Sequence, residues 1–482
     1  MQKIPTREIP SDDLDSRVFN LYEKREKIYT RGVEGVFQRI RLFTGWPLLL
    51  GYFLLPWFNI DGRQAVLFDL PAREFHILWL TFWPQDFVLL SWLLAIAAFA
   101  LFFVTTLWGR VWCGYTCPQT VWTAIFMWAE QLAEGERLQR MKLDKTPSLL
   151  ARNGWNRAGA EKTLRRLFKH GMWLGFAALT GITFIGYFYP IRDLVMDAIN
   201  WNLPLMAVAW VIFFTLATYI NAGWFREQVC IYMCPYARFQ SVMFDRDTLV
   251  ISYDEKRGEQ RGARRRNSDF RAQGLGDCID CTVCVQVCPT GIDIRDGLQY
   301  QCIGCAACID ACDDIMDKMG YEKGLISYTT QNRLAGGGEW TWKRPKLIGY
   351  GLAMIVMVTL FAATLWQRVP LQLEVARDRG TLFQELADGR IENIYTLRII
   401  NMDRSDHTFT ISVDGLPSAV LVPDAPVNVS AGDIHDMLVR IQVPAEQIGS
   451  TNQTFDFHIQ ALTGTLEASS ESRFIGPQTG GR

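Results

Sequence analysis

A multi-domain membrane protein is the fold class that this 482-residue sequence predicts, and three observations support it. Long apolar blocks rich in aromatic residues and flanked by Arg and Lys are typical of membrane-spanning helices. Eight of the twelve cysteines lie between residues 278 and 312. No cysteine follows them, and the tail 370–482 alternates short apolar and polar segments as β-strands do. We therefore expect an α-helical membrane domain of about five spans, a small α+β domain rich in cysteine, and a C-terminal β-sandwich.

The membrane domain, residues 42–250, is predicted to begin after a basic N-terminal segment, residues 1–41. No signal-peptide cleavage pattern follows a short apolar stretch there. The stretches long enough to span a membrane are 42–60, 87–108, 172–190, 204–224 and, beyond the cysteine-rich region, 346–366. A sixth apolar stretch, 119–132, is too short to cross a bilayer and is predicted to be interfacial or re-entrant.

The Lys and Arg residues of the loops predict the orientation of these spans. Loop 109–171 contains eleven of them and loop 225–272 contains ten, whereas loop 61–86 contains two and loop 191–203 one. The positive-inside rule therefore places the N-terminus, loop 109–171 and the whole of 225–345 in the cytoplasm. After five crossings, the tail is expected on the outer side of the membrane.

Two runs of CxxCxxCxxxC define the cysteine-rich domain, residues 251–345. In two-cluster bacterial ferredoxins this spacing lets the fourth cysteine of each run bind the cluster of the other run. Paired CxxC motifs also occur in zinc sites, but eight cysteines at ferredoxin spacing favour iron–sulfur. The sequence therefore predicts two [4Fe–4S] clusters, one bound by Cys278, Cys281, Cys284 and Cys312, the other by Cys302, Cys305, Cys308 and Cys288.

A second set of cysteines occurs in a repeated pattern, in which Arg is followed by CxxxCP. WGRVWCGYTCPQ follows the second predicted span and WFREQVCIYMCPYAR the fourth, so that Cys113 and Cys117 correspond to Cys230 and Cys234. The repeat predicts that the two turns meet at the cytoplasmic surface and combine their thiols. Because thiolates favour Cu(I), zinc or iron–sulfur centres, we expect a metal or redox site. The alternative is that the prolines end helices and the cysteines pack as small apolar side chains.

The tail 370–482 is predicted to form an immunoglobulin-like β-sandwich. Its sequence shows no cluster of metal ligands, which favours docking over catalysis. The segments with strand-like alternation are 392–400, 407–413, 418–422, 436–443 and 454–462.

Several function classes are excluded by composition and by missing motifs. A formal charge of −1 leaves no basic excess for binding nucleic acid. No predicted span has a histidine in its interior, which argues against a membrane haem, and no GxGxxG follows a predicted strand, which argues against a bound dinucleotide. We therefore expect a carrier of single electrons, which it receives from a soluble donor or from quinol.

In combination, these motifs resemble the cytochrome c oxidase accessory protein family, known as CcoG, RdxA or FixG. WGRVWCGYTCPQ, CIYMCPYAR and the two ferredoxin runs carry the resemblance, which covers nearly the whole chain. It implies an inner-membrane protein that reduces Cu(II) to Cu(I) for assembly of a C-type haem–copper oxidase. The eight cysteines of 278–312 would be cluster ligands, and the catalytic redox or copper site would consist of Cys113, Cys117, Cys230 and Cys234. The implied partners are the lipid bilayer, a cytoplasmic electron donor, and the oxidase or its copper-delivery factors.

Two other functions stay open on the residues alone. The CxxxCP helices could line a quinone site in a quinol or ferredoxin oxidoreductase subunit, because such subunits share the double CxxxCP arrangement. The chain could instead be a non-catalytic copper-holding scaffold or a redox sensor, and an oligomer is compatible with each function. The external sandwich favours an assembly factor, since docking on an oxidase requires such a domain and electron transfer does not.

Overall fold

The computed structural model describes residues 27–477 apart from residues 61, 148–149, 152–153, 156, 267, 338–342, 367–368, 379, 381 and 404. Residues 1–26 of the predicted basic segment therefore lie outside the described residues. The chain divides into two compact units. One contains the chain up to Trp57 together with Phe99–Gly351, and the other contains Phe58–Ala98 and the chain from Leu352 onward.

Helices dominate the first unit, and two of them, α2 and α14, contribute to both units. After α8, the chain continues through two π-helical turns, Tyr219–Phe225 and Val229–Met233. The α-helices of the described chain are α1 (Val36–Leu54), α2 (Phe87–Trp108), α3 (Val111–Tyr115), α4 (Pro118–Glu134), α5 (Arg137–Lys145), α6 (Arg157–Ile185), α7 (Ile191–Ile199), α8 (Leu205–Thr218), α9 (Pro235–Met243), α10 (Glu255–Gly258), α11 (Val283–Gln286), α12 (Ala307–Met319), α13 (Gln331–Leu334) and α14 (Pro345–Trp366).

Three helical segments are long and apolar enough to cross a membrane: Phe87–Trp108, Leu205–Phe225 and Pro345–Trp366. They agree with the predicted spans 87–108, 204–224 and 346–366 to within one residue. Few of their residues are buried by protein, as expected where lipid covers an apolar surface.

The other two predicted spans, 42–60 and 172–190, do not coincide with their helices. α1 begins at Val36 and ends at Leu54, and α6 extends from Arg157 to Ile185. Basic residues such as Arg41 and Lys169 lie inside these helices and lower their mean hydropathy. Five spans therefore stay a prediction, and their bounds at α1 and α6 need correction.

The short stretch 119–132 lies within α4, which packs against α6. Phe126 and Ala129 of α4 contact Trp173 and Ala177 of α6 in a buried cluster. The indole nitrogen of Trp173 donates a hydrogen bond to the carbonyl oxygen of Phe126 at 2.9 Å. α4 is thus held by protein along one face.

A small α+β arrangement surrounds the cysteine-rich loops. Strands β8 and β9 pair antiparallel and close the region from its two ends, while α11 and α12 begin within the two cysteine runs. The strands before the C-terminal sandwich are β1 (Asn59–Ile60), β2 (Arg63–Gln64), β3 (Val66–Asp69), β4 (Glu74–Ile77), β5 (Leu80–Phe82), β6 (Leu150–Ala151), β7 (Gly154–Trp155), β8 (Val250–Tyr253) and β9 (Ile326–Thr329).

The N-terminus of α1 is capped by a side chain of α12. The carboxylate of Asp310 accepts hydrogen bonds from the backbone N–H groups of Phe37 at 3.1 Å and Gln38 at 2.7 Å. These N–H groups have no partner inside the helix, so a capping carboxylate stabilises the helix start. Gly35 permits the approach, because a Cβ atom there would lie 2.2 Å from the Asp310 carboxyl carbon.

The second unit contains a sandwich of two antiparallel sheets. One sheet has the strand order β10-β12-β16-β14, with β11 paired to β12, and the other has the order β15-β13-β17-β18. Their facing sides bury Tyr395, Phe409, Phe457 and Phe474. The strands are β10 (Leu371–Arg377), β11 (Gln384–Glu385), β12 (Arg390–Asn401), β13 (His407–Asp414), β14 (Val420–Val422), β15 (Val427–Val429), β16 (Ile434–Pro444), β17 (Asn452–Ala461) and β18 (Glu467–Ile475).

All five predicted segments of the tail overlap strands of this sandwich, but β10, β11, β15 and β18 were not predicted. β10, β15 and β18 lie at sheet edges, where a strand has a neighbour on one side only. β18 shows why such strands are hard to predict. Its sequence, EASSESRFI, consists mostly of small and charged residues and has few large apolar side chains.

Candidate metal centre

Two buried cavities in the cysteine-rich region are lined by thiols. The first collects three cysteines of the first run and the last cysteine of the second, namely Cys278, Cys281, Cys284 and Cys312. The second collects the other three of the second run and the last of the first, namely Cys302, Cys305, Cys308 and Cys288. Cys284 also lies in the wall of the second cavity, so the two cavities are direct neighbours. The structure thus groups the eight cysteines in the crossed sets that the spacing predicts.

Apart from the cysteines, the cavity walls are mostly apolar, with Ile315 and Leu325 at the first and Ile251 and Ile303 at the second. Soft sulfur donors in apolar surroundings suit iron–sulfur clusters, whereas hard cations require oxygen ligands. In the part of the chain that the structure describes, no three His, Cys, Asp or Glu side chains lie close enough together to hold one metal ion. The four thiols around each cavity, at ferredoxin spacing, fit an iron–sulfur cluster.

Left-handed backbone positions shape both cysteine loops in the same way. Asp280 and Thr282 of the first run have φ of +53° and +56°, and Gly304 and Ala306 of the second have φ of +68° and +58°. Such positions turn successive N–H groups toward one side and form an anion-binding concavity. The backbone N–H of Gly304 accordingly donates to the sulfur of Cys302. The second loop thus presents backbone amide donors to the sulfur atoms of its cysteines.

Burial raises the pKa of Cys284, Cys302 and Cys312 to about 12 and holds that of Cys308 well above its usual value. The cause is the loss of hydration of the thiolate in an apolar site. Iron is bound by thiolates, and its positive charge compensates for that loss when a cluster forms. Four thiols around an apolar cavity, with backbone amides pointing at the sulfur atoms, therefore fit a [4Fe–4S] cluster.

Arg295 is a buried cation beside the first cavity that sequence reasoning missed. Its guanidinium pairs with the carboxylate of Asp293 at 2.6 Å and with that of Asp280 at 2.5 Å. Burial raises the pKa of the Cys284 thiol, and the positive charge of Arg295 partly offsets that rise. A single Arg between Asp293 and Asp296 forms no recognisable motif, so spacing alone could not identify it.

Each CxxxCP motif begins a helix in the structure. Cys117 is the N-cap of α4 with Pro118 as the first helical residue, and Cys234 and Pro235 occupy the same positions in α9. Proline is favourable at the first helical position, because the N–H it lacks would have no partner inside the helix. The prolines therefore start helices, which differs from the alternative in which they end them.

The structure brings the two CxxxCP turns together. The side-chain amide of Gln119 donates to the carbonyl oxygens of Asn221 and Arg226 at 3.0 and 3.2 Å, which links the segment after the first turn to the segment before the second. Burial is the main cause that raises the pKa of Cys113 to about 12, and the nearby thiols of the other three motif cysteines contribute to that rise. Burial likewise raises the pKa of Cys230 to about 11. The four half-buried thiols therefore lie near one another.

The CxxxCP turns also contact the second ferredoxin loop. Cys113 and Cys230 pack against a buried cluster that contains Cys305. The backbones approach closely, since a Cβ atom on Gly114 would lie 2.6 Å from the carbonyl oxygen of Gly304. The hydroxyl of Tyr328 donates to the same carbonyl oxygen at 2.7 Å. The second thiol-lined cavity thus lies beside the CxxxCP cysteines.

Arg110 fixes this junction from inside. One guanidinium nitrogen donates to the carbonyl oxygens of Tyr300 and of Cys302, the latter at 3.0 Å. The other donates to the carbonyl oxygen of Ala237 in α9 at 2.8 Å. The repeated Arg was visible in the sequence, but its partners become apparent only in the folded chain.

Replacing Gly114 with alanine is expected to push the first CxxxCP turn away from the Gly304 loop. The added methyl would overlap backbone atoms, and overpacking of this kind costs about 1 to 3 kcal/mol. A lower thermal midpoint and faster bleaching of cluster absorbance in detergent would be observed. Gly171→Ala is the matched control, because nothing lies within 4 Å of a Cβ atom there. Equal midpoints for both variants would contradict the predicted close approach.

Known protein families match three parts of the chain. Residues 225–331 match the family described as "4Fe-4S dicluster domain", and residues 89–132 match "4Fe-4S binding domain". Residues 361–477 match the family described as an IG-like fold at the C-terminal of FixG. The predicted iron–sulfur and immunoglobulin-like domains are thereby confirmed. The segment with Cys113 and Cys117 falls within an iron–sulfur match as well.

Three curated proteins are similar over most of their length. Nitrogen fixation protein FixG of Rhizobium meliloti (strain 1021) is 37% identical over 438 residues, which cover 83% of this chain and 82% of FixG. Protein RdxA of Cereibacter sphaeroides is 39% identical over 451 residues, covering 89% of this chain and 91% of RdxA. Protein RdxB of the same organism is 38% identical over 419 residues, covering 83% and 84%.

Proposed function

Because the chain belongs to the family of FixG, RdxA and RdxB and is an iron–sulfur protein of electron-transfer type, we propose that it is a membrane-bound cupric reductase. Its electrons come from a cytoplasmic donor and reduce Cu(II) to Cu(I) for assembly of a C-type haem–copper oxidase. When bound, two [4Fe–4S] clusters supply one-electron carriers in the two thiol-lined cavities.

The contact between the CxxxCP turns and the second ferredoxin loop is the observation that carries this proposal. Gly114 lies against Gly304, and Cys113 and Cys230 pack in the cluster that includes Cys305. The two cavities share Cys284, so an electron path from the first cavity to the CxxxCP thiols needs no long gap. The chain's own part is to hold these sulfur atoms in adjacent apolar sites.

Copper enters the proposal as substrate at the CxxxCP thiols. Each Cu(II) takes up one electron and leaves as Cu(I), while the donor restores the electron to the chain. Thiolates bind Cu(I) better than harder ligands do, so Cys113, Cys117, Cys230 and Cys234 would stabilise the reduced ion. All four cysteines are half-buried, so copper bound to them would be only partly exposed to water.

The loop charges support an inner-membrane location with the ferredoxin domain in the cytoplasm. Loops 109–171 and 225–272 hold most of the Lys and Arg that flank the apolar helices. The five predicted crossings would place the tail on the opposite side, which is the periplasm. There the sandwich would dock on the oxidase or on its copper-delivery factors.

The double variant Cys113→Ser with Cys230→Ser tests the proposal. We expect an unchanged iron–sulfur EPR spectrum, because neither residue lines a cluster cavity. We expect loss of Cu(II) reduction by the dithionite-reduced protein, since serine oxygen is a poor ligand for Cu(I). The rate of cluster reoxidation by added Cu(II) is the measurement.

Two outcomes would count against a cupric reductase. Unchanged reoxidation by Cu(II) in the double variant would remove the CxxxCP thiols from the path. Reduction of the wild-type clusters by a quinol in detergent would favour the quinol oxidoreductase alternative. Binding of copper without any reoxidation would favour the scaffold.

One observation favours a second use of the same thiols. Residues 89–132 match an iron–sulfur family, and the cysteines of this segment are Cys113 and Cys117. Two cysteines are fewer than the four that a [4Fe–4S] cluster requires. Paired with Cys230 and Cys234, they would complete a ligand set for a third cluster. Iron analysis separates the two uses, because two clusters give roughly eight iron atoms per chain and three give roughly twelve.

A further inference from the structure

The Arg that precedes each CxxxCP motif has different surroundings in the two repeats. All three hydrogen bonds that Arg110 makes within the described residues go to backbone carbonyl oxygens, on Tyr300, Cys302 and Ala237. Arg110 is also buried, with 8% of its surface exposed. Among the residues that the structure describes, no carboxylate is hydrogen-bonded to this buried positive charge.

Arg226 occupies the corresponding place in the second repeat and has an anionic partner. Its guanidinium donates to the carboxylate of Glu130 at 2.8 Å and lies 5.3 Å from the ring centre of Trp173. Although the sequence repeats the Arg, the two charges are thus used differently. Arg226 belongs to an ion-pair network, and Arg110 faces the second ferredoxin loop.

Arg110 lies between the two groups of thiols. Its guanidinium donates to the carbonyl oxygen of Cys302 at 3.0 Å, and Arg110 precedes Cys113 by three residues. Its other nitrogen donates to Ala237, which follows Cys234 by three residues. The buried charge of Arg110 is therefore placed beside the second ferredoxin loop and both CxxxCP turns.

We propose that Arg110 is a positioning residue that raises the reduction potential at the second thiol-lined cavity and so directs electrons from the first cavity toward the CxxxCP turns. Reduction of that centre adds one negative charge and requires no proton. A buried positive charge stabilises an added electron, because the surroundings screen it weakly. The same guanidinium holds the turn against the Cys302 loop, which keeps the two sites adjacent.

This inference rests on the electron-transfer part of the proposed function and does not depend on copper. An alternative role for Arg110 is purely structural, as a tie between three backbone carbonyls. Two variants distinguish charge from shape. Arg110→Gln removes the charge and keeps a hydrogen-bonding side chain, whereas Arg110→Lys keeps the charge and loses the planar fork.

The test is a redox titration of the full-length protein in detergent, followed by EPR and without copper. The signal of the second cavity is the one that Cys288→Ser removes. In Arg110→Gln, we expect its reduction to be about tenfold less favourable, which for one electron is a shift of 59 mV to lower potential. In Arg110→Lys, the potential is expected to stay near that of the wild type. Arg226→Gln is the matched control and should leave the potential unchanged.

Three results would overturn the inference. They are a wild-type potential in Arg110→Gln, a shift in Arg110→Lys as large as that in Arg110→Gln, or an equal shift in Arg226→Gln. If Arg110→Gln does not retain the cluster of the second cavity, the Arg110→Lys variant still tests the inference. A reduction potential clearly below that of the wild type in Arg110→Lys would exclude a charge effect, because lysine keeps the positive charge. Failure of copper reduction with the expected shifts would reject the cupric reductase and leave the role of Arg110 intact.

Discussion

Replacing Cys312 with serine is expected to abolish the cluster of the first cavity and to leave the second cluster in place. Cys312 belongs to the second cysteine run, yet its thiol lines the first cavity with Cys278 and Cys281. Serine is a much weaker ligand for iron than a thiolate. Iron content should fall from roughly eight to roughly four atoms per chain, and one of two EPR signals should disappear.

The reciprocal variant, Cys288→Ser, separates crossed from uncrossed ligand sets. Cys288 lines the second cavity, so it should remove the signal that Cys305→Ser also removes. Cys312→Ser and Cys305→Ser should remove different signals, although both cysteines belong to one run. Loss of the same signal in those two variants would show that each run binds its own cluster.

Replacing Glu130 with glutamine is expected to cost about 3 to 5 kcal/mol of stability, because it breaks a buried ion-pair network. Glu130 is 1% exposed. Its carboxylate lies 2.8 Å from Arg226, 3.4 Å from Arg140 and 3.9 Å from each of Lys27 and Lys169. Without its negative charge, these cations would be left partly uncompensated in surroundings that screen them weakly.

Denaturant unfolding in detergent, followed by tryptophan fluorescence, measures this loss. Asp314→Asn is the matched control, since the side chain of Asp314 is 54% exposed and pairs with Lys318 one helical turn away. Exposed pairs of this kind contribute less than about 1 kcal/mol. A similar loss in both variants would contradict a special role for the buried network.

The same network predicts how stability depends on pH. Burial would raise the pKa of Glu130, but Arg226, Arg140 and Lys169 outweigh it and hold the pKa below its usual value. The stabilisation is therefore present above the pKa of the unfolded chain, about 4.3, and is lost as pH falls through the lower folded value. Stability of the wild type should decrease below about pH 4. The decrease should be smaller in Glu130→Gln, whose residue 130 cannot be protonated.

The sequence predicted features that covalent spacing or uninterrupted apolar runs determine. The grouping of the eight thiols follows from CxxCxxCxxxC, since a short loop can place three sulfur atoms around one cavity and must receive the fourth from elsewhere. α2 lies in an apolar run without charges and α14 has only Lys346 at its start, so their predicted bounds were accurate to within one residue. α1 extends beyond its apolar run because Arg39 and Arg41 are tolerated in its first turns.

Contacts between segments distant in the chain could not be predicted from the sequence. Glu130 and Glu134 lie among apolar residues of α4 and would ordinarily be assigned to a solvated face, whereas both are buried against cations of distant segments. The junction of Gly114 with Gly304 depends on two glycines 190 residues apart. Each lies inside a cysteine motif, but neither motif indicates that the other is its partner. Such pairings arise from how helices pack against one another, and this packing cannot be read from the residue pattern of a single sequence.

The cap that Asp310 places on α1 has a consequence for synthesis. Asp310 comes 272 residues after Gln38, so the first helix emerges from the ribosome long before its capping group exists. At roughly 5–20 residues per second, the wait lasts roughly 14 to 54 seconds. During this interval, the backbone N–H groups of Phe37 and Gln38 lack the Asp310 carboxylate, and water or another binding partner must accept their hydrogen bonds. Chains whose translation stalls before residue 310 would keep that start exposed, and quality-control proteases could recognise them by it.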